Sequence, residues 1–386
     1  MTDNVHSDIP HFFEIMKIIE GAVNADRNKV LAYVEQLAQK LESDGNAKAA
    51  ERIRRTSSQS KLSTLSAANV GSLAQLPVDG ESRMSLADEK SYRNEVVQVF
   101  VNEEVKSQID EFLRFVKGAD KLLAHGVGVS PSLLLFGPPG CGKTELAKFV
   151  SSQLNYPLIT ARIDSLVSSY LGSTAKNMRL LFEHAMGRPC VLFLDELDAI
   201  GKLRDDRHEL GELKRVVVSL LQNIDSLDNK TVLLGATNHE HLLDPAIWRR
   251  FAFKLKIELP STSTRTNLFE LFLSDFTEQK LAGLYARAAE GLSGADIRQI
   301  AEDAKRAAIL NGNTKADKFY ILRRLLERRS PGLLDSSMPL EQKLRLAREI
   351  DSEVYSYRTL AELYGISLGY VHKLLNKQQG SKDNGE

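Results

Sequence analysis

Cysteine is nearly absent from this sequence: Cys141 and Cys190 are the only two in 386 residues. Two isolated thiols give no disulfide framework and no plausible metal cluster, and both fit a reducing cytosol. An excess of one charge is missing as well. Lys and Arg total 51 and Asp and Glu total 51, so no global field draws in nucleic acid or an anionic membrane, and only local patches remain for that purpose. Long apolar runs are also lacking. The longest are Val191–Leu194, Leu133–Phe136 and Val216–Val218, far short of the ~20 residues that cross a bilayer. The opening MTDNVHSDIP has neither the basic nor the apolar stretch of a secretion signal. These absences predict a soluble, cytoplasmic protein with no membrane partner.

What is present is a balance of 42% hydrophobic and 26% charged residues, enough for a sizeable core and for two or three domains. Residues 1–55 read as a helical N-terminal region. One helix covers His11–Glu20. Asp26 caps a second to about Leu41, with Val30, Leu31, Val34, Leu37, Ala38 and Leu41 as its apolar stripe, and a third follows the DGN break at 44–46 and runs through Arg55. Such a module either docks a partner or serves as a packing or oligomerisation appendage. Residues 56–100, rich in Ser, Ala and Leu at their start, read as linker. From there short apolar runs alternate with amphipathic stretches. The strand candidates are Leu133–Phe136, Leu158–Arg162, Val191–Asp195, Thr231–Thr237 and Lys254–Leu259, the pattern of an α/β fold with a parallel sheet covered on both faces. Residues 101–260 then form a large α/β subdomain, 261–332 a helical lid, and 340–377 a separate helical tail.

The segment GPPGCGKT at 137–144 follows the apolar LLLF and precedes the helical ELAKFVSSQL, which is the strand–loop–helix setting of a phosphate-binding P-loop. Gly137, Gly140 and Gly142 let the backbone fold tightly with its N–H groups aimed at phosphate oxygens; Pro138, Pro139 and Cys141 complete the loop, and Glu145 opens the helix. Lys143 is expected to reach the β- and γ-phosphates and Thr144 to ligate magnesium. The run VLFLDELD places Asp195 and Glu196 at the C-terminal edge of a strand, where ligands of parallel sheets bind. Asp195 is the expected magnesium-shell residue and Glu196 the residue that polarises the attacking water. Asp198 either orients neighbours across a subunit boundary or is a solvated turn acid. GATN puts Asn238 after the next strand, placed to orient that water. LDPAIWRRF ends in Arg249 and Arg250, which as a unit are expected to enter a neighbouring subunit's site and neutralise charge on the γ-phosphoryl, or to brace an interface through a carboxylate. The cofactors implied are ATP and Mg2+.

Taken together, GPPGCGKT, SSYLGSTAKNMRLLFEHA, VLFLDELDAIG, GATN, LDPAIWRRF and GLSGADI resemble the AAA clade of ATPases, the group containing the meiotic-type membrane and microtubule remodelling ATPases, over about residues 100–330. The resemblance implies a P-loop AAA module with a helical lid that assembles as a homo-oligomer, a hexamer in this family. It implies that Tyr170 and Leu171 form a pore loop that grips polypeptide, and that Gly294 and Ala295 pack near adenine. Ala295 stands where many members of the wider superfamily carry an arginine. Two features depart from the pattern: Ser173 and Thr174 replace the acids common after the pore-loop glycine, and residues 203–212 show no clear second pore loop. The chain also resembles a narrower bacterial group, often encoded beside a subtilisin-like serine protease and in part linked to phage defence. It contains no HExxH zinc motif and no GxSxG elbow in a suitable setting.

The tail YRTLAELYGISLGYVHKLLNK at 357–377 reads as a helix-turn-helix, with Gly365 at the turn and Ser367 as a cap. Tyr370, His372, Lys373 and Lys377 form the face available to DNA, although such a hairpin can equally dock on the ring or on a partner. Two functions follow: a ring that remodels protein or controls an effector, and a DNA-associated, ATP-dependent oligomeric switch.

Overall fold

The computed structural model describes residues 11–23, 27–62, 76–80, 83–93, 95–162, 166, 171–186, 188–199, 210–331 and 338–376. The chain divides into two compact units, Met1–Gln75 and Leu76–Glu386.

The first unit is helical. Helices α1 (Phe12–Val23), α2 (Arg27–Ser43) and α3 (Ala47–Leu62) pack in sequence. Gly45 adopts φ 83° in the break between α2 and α3, a left-handed conformation that ends a helix at no side-chain cost. Ala38 and Ala50 are buried, and Arg54 reaches back to Glu35 and Glu42. Helix α3 continues past Arg55 into the stretch read as linker.

The second unit is built on a six-stranded sheet of order β1-β3-β4-β5-β2-β6, with β1 at Ala87–Lys90, β2 at Ser132–Phe136, β3 at Leu158–Ala161, β4 at Cys190–Leu194, β5 at Thr231–Thr237 and β6 at Phe253–Lys256. All neighbours are parallel except β1, which pairs antiparallel with β3. The sheet is therefore mixed, and β1 lies inside the span expected to be linker. Its four residues, ADEK, include three charges and give no apolar signal. Charge suits an edge strand, where it discourages pairing with another chain. Arg162 and Arg188 hold Asp88 and Glu89 from the neighbouring elements.

The central strands are apolar on both faces, and their alternate residues feed two cores. Leu133, Leu135, Val191, Phe193, Val232 and Leu234 point to one side, where they meet Ile109 and Phe112 of α4 (Glu103–Lys117) and Leu146 and Val150 of α6 (Lys143–Leu154). A short helix, α5 (Ala119–Ala124), lies between those two. On the other side Leu134, Leu192, Leu194 and Leu233 meet Leu181 and Phe182 of α7 (Leu171–Met186) and Val217 and Leu220 of α8 (Leu210–Asp225). Burying each such aliphatic or aromatic side chain contributes about 1.5–3 kcal/mol, so the two layers hold the sheet from both faces.

After the four-residue helix α9 (Pro245–Trp248) and β6, the chain is helical: α10 (Thr262–Leu273), α11 (Gln279–Ala288), α12 (Gly294–Leu310) and α13 (Lys318–Arg329), followed by α14 (Leu340–Ile350), α15 (Tyr357–Tyr364) and α16 (Leu368–Asn376). Ser293 and Asp296 form a reciprocal capping box on α12. The tail, read from the sequence as separate, shares one hydrophobic core with the lid. Leu344, Ala347, Tyr355, Leu360 and Val371 are buried together with Tyr285, Ile300, Ile321 and Leu325. Arg287 on α11 pairs with Asp351 at 3.0 Å and also with Glu353.

Candidate nucleotide site

Strand β2 delivers the chain to the P-loop, and three glycines turn it. Gly137, Gly140 and Gly142 have φ of 140°, 74° and 93°, values that L side chains rarely adopt. At Gly137 a Cβ would also stand 2.0 Å from the Ile257 carbonyl oxygen, and at Gly140 it would meet Ser293 Oγ at 2.7 Å. The loop is thus pressed against β6 on one side and the lid on the other. The lid contact is a hydrogen bond, with the Ala295 N–H donating to the Gly140 carbonyl at 3.0 Å.

Lys143 is buried at the start of α6, and its ammonium donates to the carbonyls of Gly137 (2.7 Å) and Pro138 (2.8 Å). Burial lowers its pKa, because the charged form loses solvation. Next to it, Thr144 Oγ1 donates to Asp195 Oδ2 at 2.9 Å, and Asp195 Oδ1 accepts the Glu196 N–H at 2.9 Å. Glu196 itself is exposed, with φ 51°. A left-handed glutamate is strained by about 1–3 kcal/mol, and such strain clusters at functional sites.

Behind Glu196 the end of β4 is locked to the end of β5. The Leu197 N–H donates to the Ala236 carbonyl. Asp198 is only 4% exposed; its Oδ1 accepts from Thr237 Oγ1 at 3.0 Å and from the Asn238 N–H at 3.3 Å. Asp198 is therefore not a solvated turn acid. It fixes the backbone of Asn238 from within the same chain.

These residues border one cavity of about 570 Å³, lined by Pro139 to Glu145, Asp195, Glu196, Asn238, Gly294 and Ala295. The space, the left-handed glycine loop and the helix N-terminus fit a nucleoside triphosphate. No group of three or more His, Cys, Asp or Glu side chains suited to a metal occurs among the described residues. Thr144 and Asp195, joined by their hydrogen bond beside the loop, offer oxygens of the kind that suits magnesium, which keeps waters and phosphate oxygens as its other ligands.

Several wall residues escaped the sequence reading. Val99, Val101 and Asn102 come from the stretch taken as the end of the linker and the start of the large subdomain, and Leu268, Phe272 and Arg298 come from the lid. The alternation in VVQVFVN at 96–102 was the available signal. Asn102 Oδ1 accepts from the Ser261 N–H and from Thr264 Oγ1, which ties this segment to the first lid helix.

Arg249 and Arg250 are exposed and do not border the cavity. Trp248, just before them, packs its ring 5.0 Å from that of Phe136, the last residue before the P-loop. Arg250 pairs with Asp225 at the end of α8. Tyr170 lies outside the described residues, as does most of the 203–212 stretch. Leu171 is described only as the first residue of α7. Cys141 sits partly exposed in the P-loop and Cys190 is buried; neither forms a disulfide. No described helix is long and apolar enough to cross a membrane.

The loop, the carboxylate strand and the lid contact define a P-loop ATPase module. Residues 133–259 match the family described as "ATPase family associated with various cellular activities (AAA)". An "Uncharacterized AAA family ATPase y4kL" from Sinorhizobium fredii is 35% identical over 299 residues, covering 77% of this chain and 89% of that relative. The chain belongs to the AAA family of ATPases, and it carries an ATP-binding, ATP-hydrolysing domain whose cycle drives conformational work. It is also similar to an "ATP-dependent zinc metalloprotease FtsH" from Parabacteroides distasonis, 32% identical over 56% of this chain and 33% of that protein. A third relative, "ATP-dependent zinc metalloprotease FtsH 2" from Bdellovibrio bacteriovorus, is 29% identical over 76% of this chain. The chain spans 33% and 48% of those two metalloproteases.

Proposed function

We propose that the chain works as a ring of identical subunits, six in number, whose ATP cycle remodels polypeptide or controls an associated effector protein. One observation carries this reading. Lys143, Thr144, Asp195, Glu196 and Asn238 gather around one cavity, while Arg249 stands exposed outside it with no side-chain hydrogen bond or ion pair among the described residues. Phosphoryl transfer needs charge compensation at the γ-phosphate, and an arginine so placed is available to a neighbour's site.

In this mechanism Lys143 exchanges the Gly137 and Pro138 carbonyls for β- and γ-phosphate oxygens. Thr144 and Asp195 would hold magnesium, which would offset charge on the phosphates. Glu196 polarises the attacking water, and Asn238, its backbone fixed by Asp198, orients that water. Gly294 and Ala295 close the lid side. Arg249 and Arg250 act from the adjacent subunit, and Tyr170 with Leu171 grips the substrate chain. The narrower bacterial resemblance makes a subtilisin-like serine protease, in a phage-defence setting, the first effector to test.

A second reading is a DNA-associated switch. It is favoured by the α15–α16 hairpin, which turns at Gly365 (φ 63°) and buries Val371 while Leu368, Tyr370, His372 and Lys373 stay exposed. His372 packs edge-on against Tyr357 at 4.3 Å, which leaves Tyr370 and Lys373 as the freer contacts; Lys377 lies outside the described residues.

The test is ATP turnover against protein concentration, with and without duplex DNA, together with sizing of Glu196→Gln in ATP. Turnover per subunit that rises steeply with concentration, and a larger species in the Gln variant, supports the ring. Turnover independent of concentration refutes shared sites. Stimulation by DNA that vanishes in Tyr370→Ala/Lys373→Ala, two exposed side chains outside the lid core, favours the second reading.

A further inference from the structure

Two cationic side chains border the nucleotide cavity among the described residues, Lys143 and Arg298. The first belongs to the P-loop. The second comes from the lid, three positions after Ala295 on α12, and residues three apart share a helix face. Ala295 is pinned to the P-loop through Gly140, so the turn that carries Arg298 is held close to the phosphates.

The surroundings of Arg298 point to one part of the ligand. Its guanidinium lies 6.0 Å from the centre of the Phe272 ring, and Leu268, Leu271 and Phe272 give the cavity an apolar wall on α10. Glu145, directly after Thr144, borders the same space. A nucleotide with its terminal phosphates at Gly140–Thr144 and its base against apolar side chains carries its α-phosphate between the two, on the Glu145 side. Among the described residues the one side chain that hydrogen-bonds Arg298 is Glu302, which accepts from Nε at 2.8 Å, and the Arg298 side chain is 58% exposed. Solvated pairs of this kind are weak and easily exchanged. A phosphate offers the guanidinium two oxygens in matching geometry.

We propose that Arg298 is a nucleotide-binding residue of the lid, exchanging Glu302 for the α-phosphate of bound ATP or ADP. The proposal rests on nucleotide occupying this cavity. It gives the lid a cation one turn beyond Ala295, a position that itself carries none. Because the α-phosphate is common to ATP and ADP, the contact persists through hydrolysis. It sets affinity and lid closure without sensing the γ-phosphate.

The experiment is calorimetric titration of the full chain, in the Glu196→Gln background, with ATP, ADP and adenosine, comparing Arg298 with Arg298→Ala and Arg298→Lys. The expected result is ATP and ADP binding weakened alike by about tenfold in Arg298→Ala, the scale of one charge-assisted contact. Arg298→Lys should recover part of the loss, and adenosine should bind equally to all three. Unchanged nucleotide affinity would leave Arg298 as a surface partner of Glu302 and overturn the proposal. Loss confined to ATP would make it a γ-phosphate sensor, and loss extending to adenosine would make it a base contact; either result overturns the assignment. Loss of all nucleotide binding with retained folding would return the question to the P-loop itself, and the Lys143→Ala variant, expected to lose binding in the same assay, supplies that reference.

Discussion

Arg250 and Asp225 form a two-point ion pair within one chain, Nε to Oδ1 at 2.6 Å and Nη2 to Oδ2 at 3.0 Å, whereas the adjacent Arg249 has no such tether among the described residues. The two arginines, read from the sequence as an unranked unit, therefore differ. In the proposed ring Arg249 is therefore the freer to act on a neighbouring subunit, while Arg250 fixes the loop to the end of α8. Arg249→Ala should lower kcat by about 10³-fold, the scale of a lost arginine finger, with ATP affinity held within about twofold.

The decisive measurement for that prediction is mixing. Arg249→Ala subunits keep Glu196, and Glu196→Gln subunits keep Arg249. In a ring with sites shared between subunits, the two inactive variants should restore turnover when mixed. A mixture as inactive as its parts would mean that Arg249 acts only within its own chain.

Glu196 offers a second prediction. Its φ of 51° is held although its side chain is exposed and faces the cavity, so the strain is released when the side chain is removed. Glu196→Gly should be more stable than Glu196→Gln by about 1 kcal/mol, the usual cost of a left-handed non-glycine residue less the extra freedom of the unfolded glycine chain. Both variants should lose hydrolysis. Equal urea midpoints for the two would show that the backbone there is not strained.

Much of this arrangement was legible because its residues sit on strand ends. Leu133–Phe136, Val191–Leu194 and Thr231–Thr237 are short apolar runs of the kind buried parallel strands carry, and with helical stretches between them the positions of Lys143, Asp195, Glu196 and Asn238 followed from chain order. Strand β1 was not legible, because an edge strand of charged residues is held by Arg162 and Arg188 rather than by apolar pattern. The turn-acid reading of Asp198 failed for a related reason. A carboxylate two residues after Glu196 looks like a turn acid until the fold brings Thr237 and Asn238 within bonding distance. The tail looked separate because its short helices repeat their own apolar period. Only in three dimensions do Leu360 and Val371 join the lid core.

The P-loop glycines are not equivalent. Gly137→Ala would drive a Cβ to within 2.0 Å of a backbone carbonyl oxygen in a strained conformation, whereas Gly142→Ala meets open space at φ 93°. The first should cost about 3 kcal/mol or more, from strain and overpacking combined. The second should cost about 1–2 kcal/mol, from its backbone alone. Urea unfolding at unchanged slope measures both, and the reverse order would contradict the packing of the loop on β6.

The last prediction concerns alkaline pH. Burial pushes the Cys190 thiol up from its ordinary 9.0 to about 12, and the Tyr285 hydroxyl up from 10.0 to about 12. In both cases the folded chain retains a proton that the unfolded chain releases. The unfolded state therefore gains by deprotonation first, and stability falls as pH rises above each unfolded value. The Cys190 contribution is fully present below about pH 9 and is lost between there and about pH 12, at a limiting slope of about 1.4 kcal/mol per pH unit. From pH 9 to 10 the cysteine acts largely ahead of Tyr285, so Cys190→Ala should flatten the stability curve in that interval, whatever its effect at neutral pH. Urea midpoints from pH 7 to 10 for both proteins measure this. Parallel curves would mean that Cys190 ionises as readily in the folded chain as in the unfolded one, contrary to its place in β4, where the strand is buried on both faces and the thiol donates to the Ala185 carbonyl at 3.2 Å.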